Sequence, residues 1–425
     1  MLVMELLAEL RARGLVHDST DADVLGARLA AGGVGVYVGF DPTADSLHVG
    51  HLLGQVTLRR FQLAGHRPFP LAGGATGMVG DPSGRSEERN LLTREALAAN
   101  VDKIKAQLRR LLDFEPGPCQ ATLVDNADWT EPMGVLEFLR DVGKHVTVNQ
   151  MVARESVRSR MDGQSGISYT EFSYMLLQAN DFRHLCQHHD VELQMGGSDQ
   201  WGNIVAGIDL IRRTLGRTAH GLTWPLLTKD DGTKFGKTAS GSVWLDPART
   251  SPYQFRQFWV QTDDAEVGPY LRQLTLRPLE EIEAVLEAHA AAPEHRRAQR
   301  LLANDLTALV HGPEEAKAAE QAAEVLFGAD PTEASAEALA VVRREVPSTE
   351  AVTSDLDDLV GLLVRTGLAT SNGDARRTLA QGGVRANGQR LDASSTLAGL
   401  ELLGGRYVLL RKGRTTYHLV DLGAG

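Results

Sequence analysis

His48 and His51 bracket a glycine in Leu47-His48-Val49-Gly50-His51, which follows an apolar, strand-like run at 34–40 and opens a helix-like run. Far downstream, Lys234 and Lys237 stand three apart in Lys234-Phe235-Gly236-Lys237-Thr238. A glycine at a strand-to-helix turn lets the backbone approach phosphate, and the helix N-terminus favours an anion. The imidazoles can donate to phosphate or ribose oxygens, and the lysines can neutralise charge on a leaving pyrophosphate. The set fits a bound nucleoside triphosphate. One histidine in an apolar run is ordinarily packed or on the surface, and a charged string such as Lys229-Asp230-Asp231-Gly232 is ordinarily an exposed turn. The pairing of the two motifs, with Asp41-Pro42-Thr43 just ahead of the histidines, favours the functional reading.

Other blocks narrow the reading. They are Tyr37-Val38-Gly39-Phe40-Asp41-Pro42-Thr43, Gly73-Gly74-Ala75-Thr76-Gly77, Gly80-Asp81-Pro82-Ser83-Gly84, Glu171-Phe172-Ser173-Tyr174-Met175 and Gly196-Gly197-Ser198-Asp199-Gln200-Trp201-Gly202-Asn203. In this order, and in register over about 37–259, they resemble the class I aminoacyl-tRNA synthetases, within these the bacterial tyrosyl-tRNA synthetase family. The resemblance implies two steps. Tyrosine attacks the α-phosphate of ATP, and the tRNA terminal ribose then attacks the aminoacyl adenylate. The first nucleophile belongs to the substrate, so the protein positions anions and stabilises developing charge.

Residue by residue, the resemblance sets Thr43 and His48 near the outgoing phosphates and His51 near the ribose. Lys234 and Lys237 belong to a mobile clamp over the phosphates, although Phe235, Gly236 and Thr238 depart from the familiar Lys-Met-Ser-Lys-Ser wording. Gly39, Asp41, Gly50, Arg85, Arg89, Asp199 and Thr238 complete the ATP set, with arginine at 85 where some relatives have lysine. Tyr37 and Asp181 would bond the substrate phenol. Asp81, Tyr174 and Gln178 would hold its ammonium group and Gln200 its carboxylate. Tyr174, Gln178 and Asp181 are four and three residues apart, so one helical face can present all three. Ser198 and Asp199 equally suit a helix N-cap. Arg154, Arg212 and Arg213 would face the tRNA acceptor end, though basic residues also favour helix C-termini. Mg2+ is expected with ATP, and no protein-bound structural metal.

The elements that must position these residues are legible in outline. Runs at 34–40, 68–72, 121–124 and 191–195 read as strands, and 52–63, 95–112 and about 200–214 as helices. Alternating strand and helix implies a Rossmann-like parallel α/β sheet with ligands at its strand ends. The expected boundaries are a catalytic domain at 1–228, the lysine loop at 229–250, a helical domain at 251–330, a linker with a short helix at 331–352 and a small α+β domain at 353–425. The last resembles an S4-like RNA-binding domain, with Arg376, Arg377 and Arg385 presented to RNA.

Composition sets the outer limits. The chain has 425 residues, 42% of them hydrophobic, and a net charge of −11. That balance argues against a general nucleic-acid coat. Residues 371–425 nonetheless carry eight Lys/Arg against four Asp/Glu, a net of +4, which suits local contact with RNA phosphate. A solvated basic face would look the same. The two cysteines, Cys119 and Cys186, form no Cys-x-x-Cys pair and predict neither a zinc site nor a structural disulfide. No apolar stretch approaches the ~18 residues of a membrane span. Residues 1–15 read as an amphipathic helix rather than a signal peptide, so the cytoplasm is the expected location. A symmetric homodimer is implied by the resemblance, with apolar material for it at 135–148 and 169–177. Tryptophanyl-tRNA synthetase, a small nucleotidyltransferase and a synthetase-derived RNA-binding factor are the competing readings.

Overall fold

A computed structural model of the chain describes residues 5–83, 92–161, 166–227, 235–238 and 241–423. The chain divides into two compact units, Met1–Thr250 with Thr262–Leu302, and Ser251–Gln261 with Ala303–Gly425.

The first unit is built on five parallel strands. They are β1 (Gly35–Phe40), β2 (Arg67–Ala72), β3 (Val124–Asp125), β4 (Val191–Gly197) and β5 (His220–Trp224). Their spatial order is β3-β2-β1-β4-β5, and all neighbours pair in parallel. Both faces of this sheet are covered, which explains the near-continuous apolar strands. On one face Tyr37 packs with Phe69, Leu71, Phe182 and Leu185. Val38 and Phe40 lie on the other, near Gly54 of the helix Val49–Leu63. From β1 the chain steps outward through β2 and β3, then returns to the other side of β1 with β4. Strand order therefore reverses between β1 and β4, where open α/β sheets bind ligands. The runs expected as strands at 34–40, 68–72 and 191–195 fall on β1, β2 and β4, whereas of 121–124 only Val124 is strand. β3 is only two residues long, and β5 was not anticipated.

Three further helices matter for the site: Arg94–Leu111, Tyr169–His189 and Trp201–Leu215. The 21-residue helix Tyr169–His189 begins at Ser168, whose side chain accepts from Glu171 N. It ends at Asp190 in the left-handed conformation, φ 53°. Lys237–Thr238 (β6) pairs antiparallel with Gly241–Ser242 (β7).

In the second unit the helices Pro252–Val260, Pro313–Leu326 and Ala336–Glu345 join a mixed sheet. Its strands are β8 (Ser348–Glu350), β9 (Val384–Ala386), β10 (Gln389–Leu391), β11 (Tyr407–Lys412) and β12 (Thr416–Asp421), ordered β10-β9-β11-β12-β8. β11 is apolar to both sides. Val408 and Leu410 enter a core with Leu359, Leu362 and Leu379, while Leu409 packs with Ala322, Leu339 and Val342. The segment expected as a linker, 331–352, therefore holds Ala336–Glu345, which covers that second face, and β8, which pairs with β12.

Candidate active site

A cavity of about 320 Å³ opens where the strand order reverses, and all its walls come from the first unit. β1 and its turn supply Tyr37, Gly39, Asp41 and Thr43, and the next helix supplies His48, Gly50 and His51. Asp81 and the helix residues Tyr174, Gln178 and Asp181 form another wall. Asp199 and Gln200 enter from the end of β4. Thirteen of the residues singled out in the sequence thus meet in one space.

The histidines are fixed by the helix they open. His48 is the N-cap, and its Nδ1 accepts from Gly50 N at 3.0 Å. His51 Nδ1 accepts from His48 N at 3.2 Å, which completes a capping box. Both neutral rings are therefore held as the tautomer with the proton on Nε2, the arrangement that donates hydrogen bonds. The rings lie 4.0 Å apart. Gly50 is required here, since a Cβ would sit 2.8 Å from His48 Cε1. The base of the lysine loop abuts the same turn. Gly236 has φ +78°, and a Cβ there would be 2.5 Å from Val49 Cγ2. Phe235 is buried against Tyr270, and Val243 N donates to the Gly236 carbonyl.

Opposite, a hydrogen-bonded chain organises the carboxylates. Tyr174 Oη donates to Asp41 Oδ2 at 2.9 Å, and Thr76 Oγ1 donates to Asp41 Oδ1 at 2.8 Å. Asn126 Nδ2 donates to Thr76 Oγ1 and to Asp181 Oδ2, at 2.9 and 3.0 Å. Trp129 Nε1 donates to Asp181 Oδ1 at 2.8 Å. Burial pushes the Asp181 carboxyl up to about 7, against the pull of those two donors. Tyr37 is 1% exposed, and its hydroxyl has no hydrogen-bond partner among the described residues. Its pKa is raised well above the ordinary value by burial and by the Asp181 charge. A buried donor left unmade is costly, so this hydroxyl is set for a ligand.

A second polar group lies toward β4. Gln200 Nε2 donates to Asp81 Oδ2 at 2.8 Å, and Gln200 Oε1 accepts from Gln178 Nε2 at 3.3 Å. Burial, then the Asp81 charge, raises the Asp199 pKa. Such a cluster suits an ammonium group and ribose hydroxyls.

Some sequence candidates lie elsewhere. Arg85, Arg89 and Lys234 fall outside the described residues, and Lys237 and Thr238 are placed by the backbone of β6 alone. Arg154 is half-buried beside Gly202. Arg212 is exposed and pairs with Asp209 at 3.1 Å, and Arg213 donates to the His145 carbonyl. Arg376, Arg377 and Arg385 are exposed in the second unit. Sequence reasoning passed over Thr76, Asn126 and Trp129. The signal available for the last two was the polar turn Asp125-Asn126-Ala127-Asp128-Trp129 immediately after an apolar run.

The model for tRNA synthetases class I (W and Y) matches residues 30–328, and that for the Tyrosine--tRNA ligase SYY-like C-terminal domain matches 338–420. A Tyrosine--tRNA ligase from Opitutus terrae is 54% identical over 424 residues, covering 99% of this chain and 100% of its own. One from Geobacillus stearothermophilus is 50% identical over 419 residues, 98% of this chain and 99% of its own. The chain belongs to the tyrosine--tRNA ligase family. A solved member, a C-terminally truncated mitochondrial tyrosyl-tRNA synthetase from Aspergillus nidulans, has a TM-score of 0.70 at 33% identity, covering 76% of this chain and 95% of that one. The tryptophanyl-tRNA synthetase of Plasmodium falciparum shares the fold at TM-score 0.55, with 16% identity over 73% of this chain and 84% of that one. Full-length identity of half or more thus sets the chain with the tyrosine branch of the family rather than the tryptophan branch.

Proposed function

We propose that the chain is a tyrosine--tRNA ligase that forms tyrosyl-adenylate from tyrosine and ATP and transfers the tyrosyl group to the 3′ end of tRNA(Tyr). The observation that carries the amino-acid specificity is the buried, unpartnered Tyr37 hydroxyl close to Asp181. A substrate phenol satisfies both, accepting from Tyr37 and donating to Asp181. Phenylalanine leaves both unmade inside a buried wall.

In the first step a tyrosine carboxylate oxygen attacks the α-phosphorus. The bond to the β-phosphate oxygen breaks, and its electron pair leaves with pyrophosphate. His48 and His51 donate from Nε2 to phosphate or ribose oxygens, at the positive end of the helix dipole. Lys234 and Lys237 are assigned the departing charge, with Thr43 and, in the phosphate set, Arg85 and Arg89. Gly39, Asp41 and Asp199 complete the nucleotide side. In the second step a terminal ribose hydroxyl attacks the acyl carbon and AMP leaves. Among the described residues no His, Cys, Asp or Glu group is arranged to hold a metal ion. Mg2+ is assigned to the ATP substrate, as the ion that accompanies its phosphates.

Tyrosine-dependent exchange of pyrophosphate into ATP tests this reading. Equal or better stimulation by tryptophan overturns it.

The tRNA is assigned to Arg154, Arg212 and Arg213 at its acceptor end, and to Arg376, Arg377 and Arg385 in an S4-like C-terminal region. A homodimer is supported by an exposed apolar face on the first unit, where Val135, Leu136 and Tyr169 are 74%, 82% and 75% exposed. Monomers rarely leave such a patch uncovered. No described helix is long and apolar enough to cross a membrane. The cytoplasm, where tRNA is charged, is the location that goes with this function.

A further inference from the structure

Trp129 sits on Ala127–Thr130, a four-residue helix with no side-chain cap. So short an element does little to fix a large rotamer. Its indole is instead gripped by the helix Tyr169–His189. Asp181 Oδ1 accepts from the indole N–H at 2.8 Å. Three residues along the same helix, His184 stacks on the indole at 4.4 Å and 13°. Residues three apart are neighbours on one helix face. The indole also packs against the cluster that holds Tyr37, Phe182 and Leu185, and the parallel His184 ring adds a second face that holds the N–H in line with the carboxylate. His188 backs the stack, its ring 4.4 Å from that of His184. Burial lowers the His184 pKa to about 4, with His188, His189 and Arg183 pushing the same way, so the stacking ring is neutral at neutral pH.

We propose that His184 is a positioning residue for amino-acid recognition: stacked on Trp129, it holds the indole N–H on Asp181 and so fixes the carboxylate that receives the substrate phenol. This rests on the tyrosine reading above. Without the indole donor, Asp181 loses one of the two groups that favour its charged, accepting form.

The test is tyrosine-dependent ATP–pyrophosphate exchange with variants at 184 and 129. His184→Leu removes the ring and keeps apolar bulk, His184→Gln is a second ringless variant should leucine impair folding, and His184→Phe keeps a stacking ring. The ringless variants should raise the tyrosine KM about tenfold, the size of one lost hydrogen bond to a charged acceptor. The preference for tyrosine over phenylalanine should fall, while kcat and the ATP KM hold. His184→Phe should stay near the parent. With Trp129→Phe already in place, His184→Leu should add nothing, because the ring acts only through that indole. Unchanged KM and preference in the ringless variants, failure of His184→Phe to rescue, or fully additive losses in the double variant overturns the proposal. A parent protein with no tyrosine-dependent exchange is a separate result, and it overturns the tyrosine reading itself.

Discussion

Asp181 is held between two demands, since burial favours its neutral form while Asn126 and Trp129 donate to its charged one. Its folded pKa of about 7 lies above the ordinary 3.8. Between those values the folded chain binds more protons than the unfolded chain, so this group's contribution to stability falls as pH rises and levels off above about 7. The difference in melting temperature between parent and Asp181→Asn should shrink or reverse from pH 5 to pH 8. A pH-independent difference refutes the assignment. Tyrosine binding should have the opposite slope, because in the proposed site the phenol donates to the ionised carboxylate, and calorimetric affinity should improve toward pH 8. Tyr37→Phe removes the other partner. It should lower the preference for tyrosine over phenylalanine about tenfold or more in pyrophosphate exchange. An unchanged preference would place the phenol elsewhere. Tyr37, Tyr174, Gln178 and Asp181 were named through the family resemblance, spacing adding only that one helix face can present the last three, and the cavity brings all four together. Asn126 and Trp129 were not, because each acts by reaching a carboxylate more than fifty residues away. No local pattern encodes such a pairing.

The helix Val49–Leu63 carries chemistry through its first turn. His48 is the cap and the proposed donor, and Gly50 makes room for its ring. Gly50→Ala should displace that ring. Loss of the cap should cost about 1 kcal/mol of stability. The pre-steady-state rate of adenylate formation should fall far more than tyrosine affinity, since the phenol end of the cavity is untouched. Equal losses in both would mean that the whole cavity has collapsed. At this scale the sequence was most informative where helix and strand alternate, as in 34–63 and 191–215. β5 escaped because His220-Gly221-Leu222-Thr223-Trp224 mixes polar and apolar residues, although all five are buried. For Ala336–Glu345 a short helix was expected, but its packing was hidden, for a different reason. The prolines and serines around it read as a linker, yet Leu339, Val341 and Val342 form a buried face once the two-sided sheet is known. A buried helix and a linker with a short helix look alike until the surface that the helix covers is in view.

For the whole molecule, the dissection of the chain follows these faces. Cutting after Pro347 strips Leu403, Leu409, Tyr417 and Leu419 from the apolar faces of Pro313–Leu326 and Ala336–Glu345. The truncated chain should keep pyrophosphate exchange, whose cavity lies wholly in the first unit, but aggregate more readily than the parent. Full-length Arg376→Glu/Arg377→Glu/Arg385→Glu is the cleaner test of the tRNA assignment. It should charge tRNA poorly with exchange intact, and normal charging would refute the assignment. The exposed apolar side chains on the first unit are proposed to meet a second copy of the chain. Val135, Leu136 and Leu139 lie on the helix Val135–Asp141, and Val148 opens the helix Val148–Val152. Tyr169 opens the helix that carries Tyr174, Gln178 and Asp181. Burying each large apolar side chain against a partner contributes about 1.5–3 kcal/mol, so a few such residues can hold a stable dimer. Leu136→Glu/Val148→Glu replaces that gain with buried charge on both sides of a two-fold contact. Sedimentation should show the parent near twice the 46.0 kDa chain and the variant near one chain. Because Tyr169 would be uncovered at the start of the substrate-binding helix, the variant should also show a raised tyrosine KM. A parent that sediments as a monomer, or a double variant that remains a dimer, would overturn this interface.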